Sequence, residues 1–96
     1  MAELPGALQH FHQVSAEFMN IELDLAITFC EVGLTTRDLG RAERNADNAR
    51  LALQAVLRVK DTVPLTKFGR QMVLKKTSKL AFLLVQLERR LTLSGW

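Results

Sequence analysis

Residues 11–34 read FHQVSAEFMNIELDLAITFCEVGL, and this stretch decides the fold. Its polar side chains recur every three or four residues, which is the period of an α-helix face and not of a strand. The large apolar side chains follow the same period, and we assign them to the core: Phe11, Val14, Phe18, Ile21, Leu25, Phe29 and Val32. The stretch therefore predicts a long amphipathic helix over about residues 8–34.

Two further segments carry a helical period, over about residues 37–60 and 66–93. Pro64 separates them, because the residue before a proline is disfavoured in the helical region. The second segment has an inward face of Leu39, Ala42, Ala46, Ala49, Leu53, Val56 and Leu57. The third has Gly69, Met72, Val73, Leu80, Leu83, Leu84, Leu87 and Leu91. The alanines predict that a neighbouring helix approaches closely.

Similar helix lengths and short connections predict an all-α fold, an antiparallel up-down-up three-helix bundle with residues 1–96 in a single domain. Charge supports this order of helices. Residues 1–36 carry five acidic side chains and no Lys or Arg, whereas residues 62–96 carry seven basic side chains and one acidic one. An acidic first helix and a basic third helix attract each other, which favours their packing side by side.

The composition points to a cytoplasmic protein. A hydrophobic fraction of 48% is enough for a packed core, and a single cysteine cannot form an internal disulfide. The first residues lack the basic and apolar regions of a signal peptide, and the richest apolar stretch is too short and too charged to span a bilayer. We therefore expect no membrane segment.

Two charged residues interrupt the apolar faces of the first and third helices. Glu22 falls within the predicted core face of the first, and Lys76 within that of the third. A charge held in a core needs a partner, and the two lie at similar heights when these helices run parallel. We predict a buried Glu22–Lys76 ion pair with a structural role.

No residue pattern indicates catalysis, so we expect no enzyme activity and no cofactor. His10 and His12 are two residues apart and point away from each other on a helix, which does not suit a shared metal ion. Cys30 has no histidine within reach along its helix, and we interpret it as a buried structural thiol. We predict no metal site.

Surplus apolar surface is the strongest functional signal. Several apolar residues lie outside the predicted core faces of the first and third helices, more than one bundle can cover. We predict that they form an interface with a second copy of the chain or with another helical protein, and that Phe82 is its central anchor. The predicted interface residues are Leu23, Ile27, Leu74, Ala81, Phe82 and Val85.

An alternative function is nucleic-acid binding. Lys75, Lys79 and Arg90 share one face of the third helix, with Arg89 beside them, and such a stripe can follow phosphates. No aromatic residues interleave with these charges, which makes this the second choice. An apolar ligand between the helices also remains open.

Overall fold

The computed structural model describes the backbone of residues 3–95 and the side chains of residues 15–94. It contains three helices, α1 (Glu3–Thr35), α2 (Leu39–Val59) and α3 (Lys67–Gly95). Each helix packs against the other two, so the predicted all-α three-helix bundle is confirmed. The molecule is elongated, with extents of 60 × 20 × 18 Å, because α1 alone has 33 residues and is about 50 Å long.

Short polar caps mark where α2 and α3 begin. The Asp38 carboxylate accepts a hydrogen bond of 3.1 Å from the backbone N–H of Arg41, which satisfies a free donor at the start of α2. This hydrogen bond to the ionised form is the main reason why the pKa of Asp38 is lowered. At the start of α3, the Thr66 hydroxyl accepts from the N–H of Gly69 at 2.9 Å.

Contacts between α1 and α3 occur in the same order along both helices. Asp24 pairs with Lys76, and further along, the carbonyl of Gly33 accepts from the guanidinium of Arg90. The two helices therefore run parallel. The connection from α1 to α2 is only three residues long, which reverses the chain direction, as an up-down-up bundle requires.

The inward face of α2 is formed by small residues. Ala42, Ala46 and Ala49 are fully buried, which confirms the predicted alanine face. The sequence also predicts Leu39 and Leu57 on this face, but Leu57 is 43% exposed and Leu39 is 36% exposed. Both lie about 80° around the helix from Ala49, so the buried face is narrower than we assumed.

The core face of α1 is not the one that the large apolar residues suggested. Its buried side chains are Met19, Leu23, Ala26, Ile27 and Cys30. The assignment of Phe18, Ile21, Leu25 and Val32 to the core is wrong, since all four are exposed. The prediction that Leu23 and Ile27 form an interface is wrong for the same reason, since both are buried within their own chain.

Close packing explains which face of α1 is buried. The alanine face of α2 lets a neighbour approach closely, and such a neighbour needs small side chains of its own. Ala26, Cys30 and Gly33 supply them on α1. A Cβ atom at Gly33 would lie 3.6 Å from the backbone carbonyl oxygen of Ala42 on α2 and 2.9 Å from a methyl carbon of Leu87 on α3, so α1 lies close to both neighbouring helices at this position. Phe18, Ile21, Leu25 and Val32 are left on the outer side, while Met19, Leu23 and Ile27 pack beside the small residues.

The predicted core face of α3 is confirmed at its centre, where Val73, Leu80, Leu84 and Leu87 are buried. Within residues 3–95, no helix is long and apolar enough to cross a membrane.

Candidate interaction surfaces

One exposed apolar surface lies on α3 and is called the α3 patch: Leu74, Ala81, Phe82 and Val85. The exposed fractions are 52% for Leu74, 62% for Phe82 and 60% for Val85. These residues lie on the side of α3 that faces away from Leu80 and Leu87. The structure places all four where a partner can reach them, and their role as an interface remains a prediction.

A second apolar surface lies on α1 and is called the α1 strip: Phe18, Ile21, Leu25 and Val32. Ile21 is the most exposed of the four, at 63%. Fourteen residues separate the ends of the strip, or about 21 Å along the helix axis. Sequence reasoning found this stripe but assigned it to the core, because large side chains dominate a hydrophobicity pattern.

The predicted buried pair of Glu22 and Lys76 is wrong. The Lys76 ammonium instead contacts both carboxylate oxygens of Asp24, at 2.9 and 3.1 Å. The side chains of Lys76 and Asp24 are 21% and 61% exposed, and no charged side chain is buried among residues 15–94. The cause is the rotation of α1 relative to our assignment, which turns Asp24 towards α3. Glu22 is partly exposed on another side of the helix.

The closest polar contact between α1 and α3 belongs to Arg90. Its guanidinium donates hydrogen bonds to the backbone carbonyls of Gly33 and Thr36, where α1 ends. The last carbonyls of a helix lack partners within it and carry the negative end of its dipole, so a cation there is favourable. The sequence indicated that Arg90 shares a basic face with Lys75 and Lys79. The contact with α1 could have been predicted, because Arg90 lies only about 20° around the helix from Leu83, a residue of the predicted core face.

A charged cluster joins α2 to α3, and sequence reasoning missed it. The Arg50 guanidinium donates to the Glu88 carboxylate at 2.8 Å and to the Asp47 carboxylate at 2.6 Å. These two hydrogen bonds, with Glu88 contributing more, raise the pKa of Arg50. The cluster borders an open groove of about 520 Å³ between the N-terminal part of α2 and the C-terminal part of α3.

Cys30 is buried, as predicted. Burial, followed by the nearby charges of Glu31 and Glu88, raises the pKa of its thiol from 9.0 to about 11. The thiol is therefore protonated at neutral pH, which is the opposite of what a nucleophilic cysteine needs. The side chains of His10 and His12 lie outside the described residues. Among those described, no three His, Cys, Asp or Glu side chains come together as metal ligands do.

Three lysines line a groove between α1 and α3, which is called the lysine groove. It has a volume of about 440 Å³ and is lined by Asp24, Ile27, Thr28, Met72, Lys75, Lys76 and Lys79. The predicted basic stripe is therefore divided. Lys75 and Lys79 remain together at this groove, whereas Arg90 is bound to the end of α1.

The geometry defines the class of protein as a three-helix bundle with two exposed apolar helix surfaces. Comparisons with models of protein families, with curated proteins and with solved structures find no match to this chain.

Proposed function

We propose that this protein is a helical interaction module whose exposed apolar surfaces pack against helices of another protein molecule, in the first instance a second copy of the chain. The main support for this proposal is that α3 is apolar on two sides. Leu80 and Leu87 on its inner side are fully buried, while Phe82 and Val85 on its outer side are more than half exposed. A single bundle covers only one side of a helix.

The α1 strip adds a second surface of the same kind. Exposed apolar side chains that stand singly are normal on a protein surface, whereas several in a row along one helix are typical of an interface. Phe82 and Phe18 supply large aromatic area, which gives interfaces much of their binding energy.

Charges around these surfaces favour one arrangement of two copies. Lys75, Lys79 and Arg89 border the α3 patch, so two α3 patches that meet would bring like charges together. Acidic side chains border the α1 strip, among them Glu17 and Glu31. The α1 strip of one copy against the α3 patch of another joins apolar surfaces with opposite charges at the rim. Between two copies we therefore favour this pairing over the pairing of two α3 patches.

Sedimentation velocity over a wide concentration range tests self-association. We expect a mass that rises with concentration, and we expect Phe82→Glu to shift the protein towards the monomer with its helicity unchanged. Leu51→Glu is the matched control, because Leu51 lies on α2, outside both apolar surfaces, and is 63% exposed. Its mass should follow that of the wild type. A wild type that stays monomeric at high concentration would contradict self-association.

The alternative of nucleic-acid binding has weaker support. Arg90 binds the end of α1 and Lys76 binds Asp24, which leaves Lys75, Lys79 and Arg89 of the basic face. Three phosphate contacts give weak binding that is lost as salt rises, whereas apolar association survives high salt. Repeating the sedimentation experiment with a labelled oligonucleotide present, at low and at high salt, separates the two functions.

A further inference from the structure

We infer that the lysine groove binds a phosphate monoester, either as a small soluble molecule or as a lipid headgroup. Three lysines line this groove, Lys75, Lys76 and Lys79, together with a single acidic residue, Asp24. This inference does not require self-association. Lys75 and Lys79 also border the α3 patch, so a second copy bound there would compete with the ligand, and the tests below use a protein concentration at which the chain is monomeric.

The groove carries more positive than negative charge. The Asp24 carboxylate holds the ammonium of Lys76 through both of its oxygens. No ion pair of Lys75 or Lys79 is found among the side chains of residues 15–94. The groove therefore keeps two positive charges that form no ion pair with a carboxylate of residues 15–94.

The spacing of these charges suits a doubly charged anion. Lys75 and Lys79 are four residues apart on α3, so their side chains start about 5–6 Å from each other, and like charges at this spacing destabilise a helix. A phosphate monoester carries nearly two negative charges at neutral pH and several acceptor oxygens, so it can bridge both ammonium groups. Lysine ammonium groups bind phosphate as point charges without demanding a fixed geometry.

The other residues that line the groove restrict the class of ligand further. Ile27 and Met72 give it apolar lining, which suits the carbon part of an ester. The Thr28 hydroxyl donates to the backbone carbonyl of Asp24 at 3.0 Å, so its proton is not available to a ligand. Recognition therefore depends on the charge of the phosphate group and on apolar contact.

Calorimetric titration with glycerol 3-phosphate at low salt tests the soluble form of the ligand. Vesicles of phosphatidylcholine with and without phosphatidic acid test the lipid form, since phosphatidic acid carries the same monoester. Binding to glycerol 3-phosphate supports a soluble source, and binding only to vesicles with phosphatidic acid supports a lipid source. If neither binds, or if only a single-stranded oligonucleotide binds, the inference is wrong.

Two double variants locate the binding. Changing Lys75 and Lys79 to Gln should weaken it by about tenfold or more, because two charges next to the anion are lost. Changing Lys67 and Arg70 to Gln removes the same charge from the first turn of α3, outside the groove, and should change the affinity by less than about threefold. All four side chains are exposed, so both variants should fold, which circular dichroism checks. Equal losses in the two variants would contradict the inference.

Discussion

Replacing Arg90 with Met should destabilise the bundle, because Arg90 joins α3 to the end of α1. The wild-type guanidinium donates to the carbonyls of Gly33 and Thr36. Methionine keeps an apolar stem of similar length, so the variant removes the charged group and little of the packing. The experiment therefore isolates the contribution of these two hydrogen bonds.

The expected loss of stability depends on how well the Arg90 guanidinium is shielded from water. Hydrogen bonds to charged groups contribute about 1.5–3 kcal/mol when they are shielded from water. The Arg90 side chain is only half-buried, and water can hydrate both carbonyls once the guanidinium is gone. We therefore expect a loss of about 2 kcal/mol for the two bonds together, which lowers the Tm by roughly 8–16 °C in a domain of this size.

Urea unfolding followed by far-UV circular dichroism measures the loss, at one low protein concentration so that association does not contribute. Arg89→Met is the matched control, because it removes the same charge from the next position on α3, where the side chain is exposed. Its effect should stay within about 0.5 kcal/mol. If the two variants lose equal stability, the Arg90 contacts do not hold α1 and α3 together.

Three further predictions concern the packing of the bundle and its charges. Ala46→Leu should destabilise by about 1–3 kcal/mol in urea unfolding, because Ala46 is fully buried where α2 is closely packed; an unchanged midpoint would mean that there is room at this position. Asp24→Asn should cost less than about 1 kcal/mol, since its pair with Lys76 is solvent-exposed; a loss of several kcal/mol would show a buried pair. Wild-type stability should fall between about pH 9 and pH 11 more steeply than that of Cys30→Ala, because the unfolded thiol ionises at 9.0 and the folded one at about 11. Parallel pH profiles for the two proteins would contradict the raised pKa.

The number, type and approximate extent of the helices could be predicted from the amino-acid sequence. Helical periodicity and the proline at position 64 are local signals, and they predicted α2 and α3 to within a few residues. The centres of the inward faces of α2 and α3, marked by Ala46 and Leu80, also followed from the sequence, because on each helix this side holds more apolar residues than the opposite side. The exposure of Phe82 and Val85 was predictable for the same reason.

The buried face of α1, in contrast, depends on how the helices pack together. This helix has two apolar faces, and hydrophobicity alone favours the one with larger side chains, around Phe18 and Leu25. The alanines of α2 select the other face, because small residues such as Ala26 and Gly33 allow the closer packing. The same choice of face places Asp24 towards α3, where its carboxylate pairs with Lys76. Close packing depends on the shapes of two surfaces in contact, and a periodicity within one helix does not contain that information.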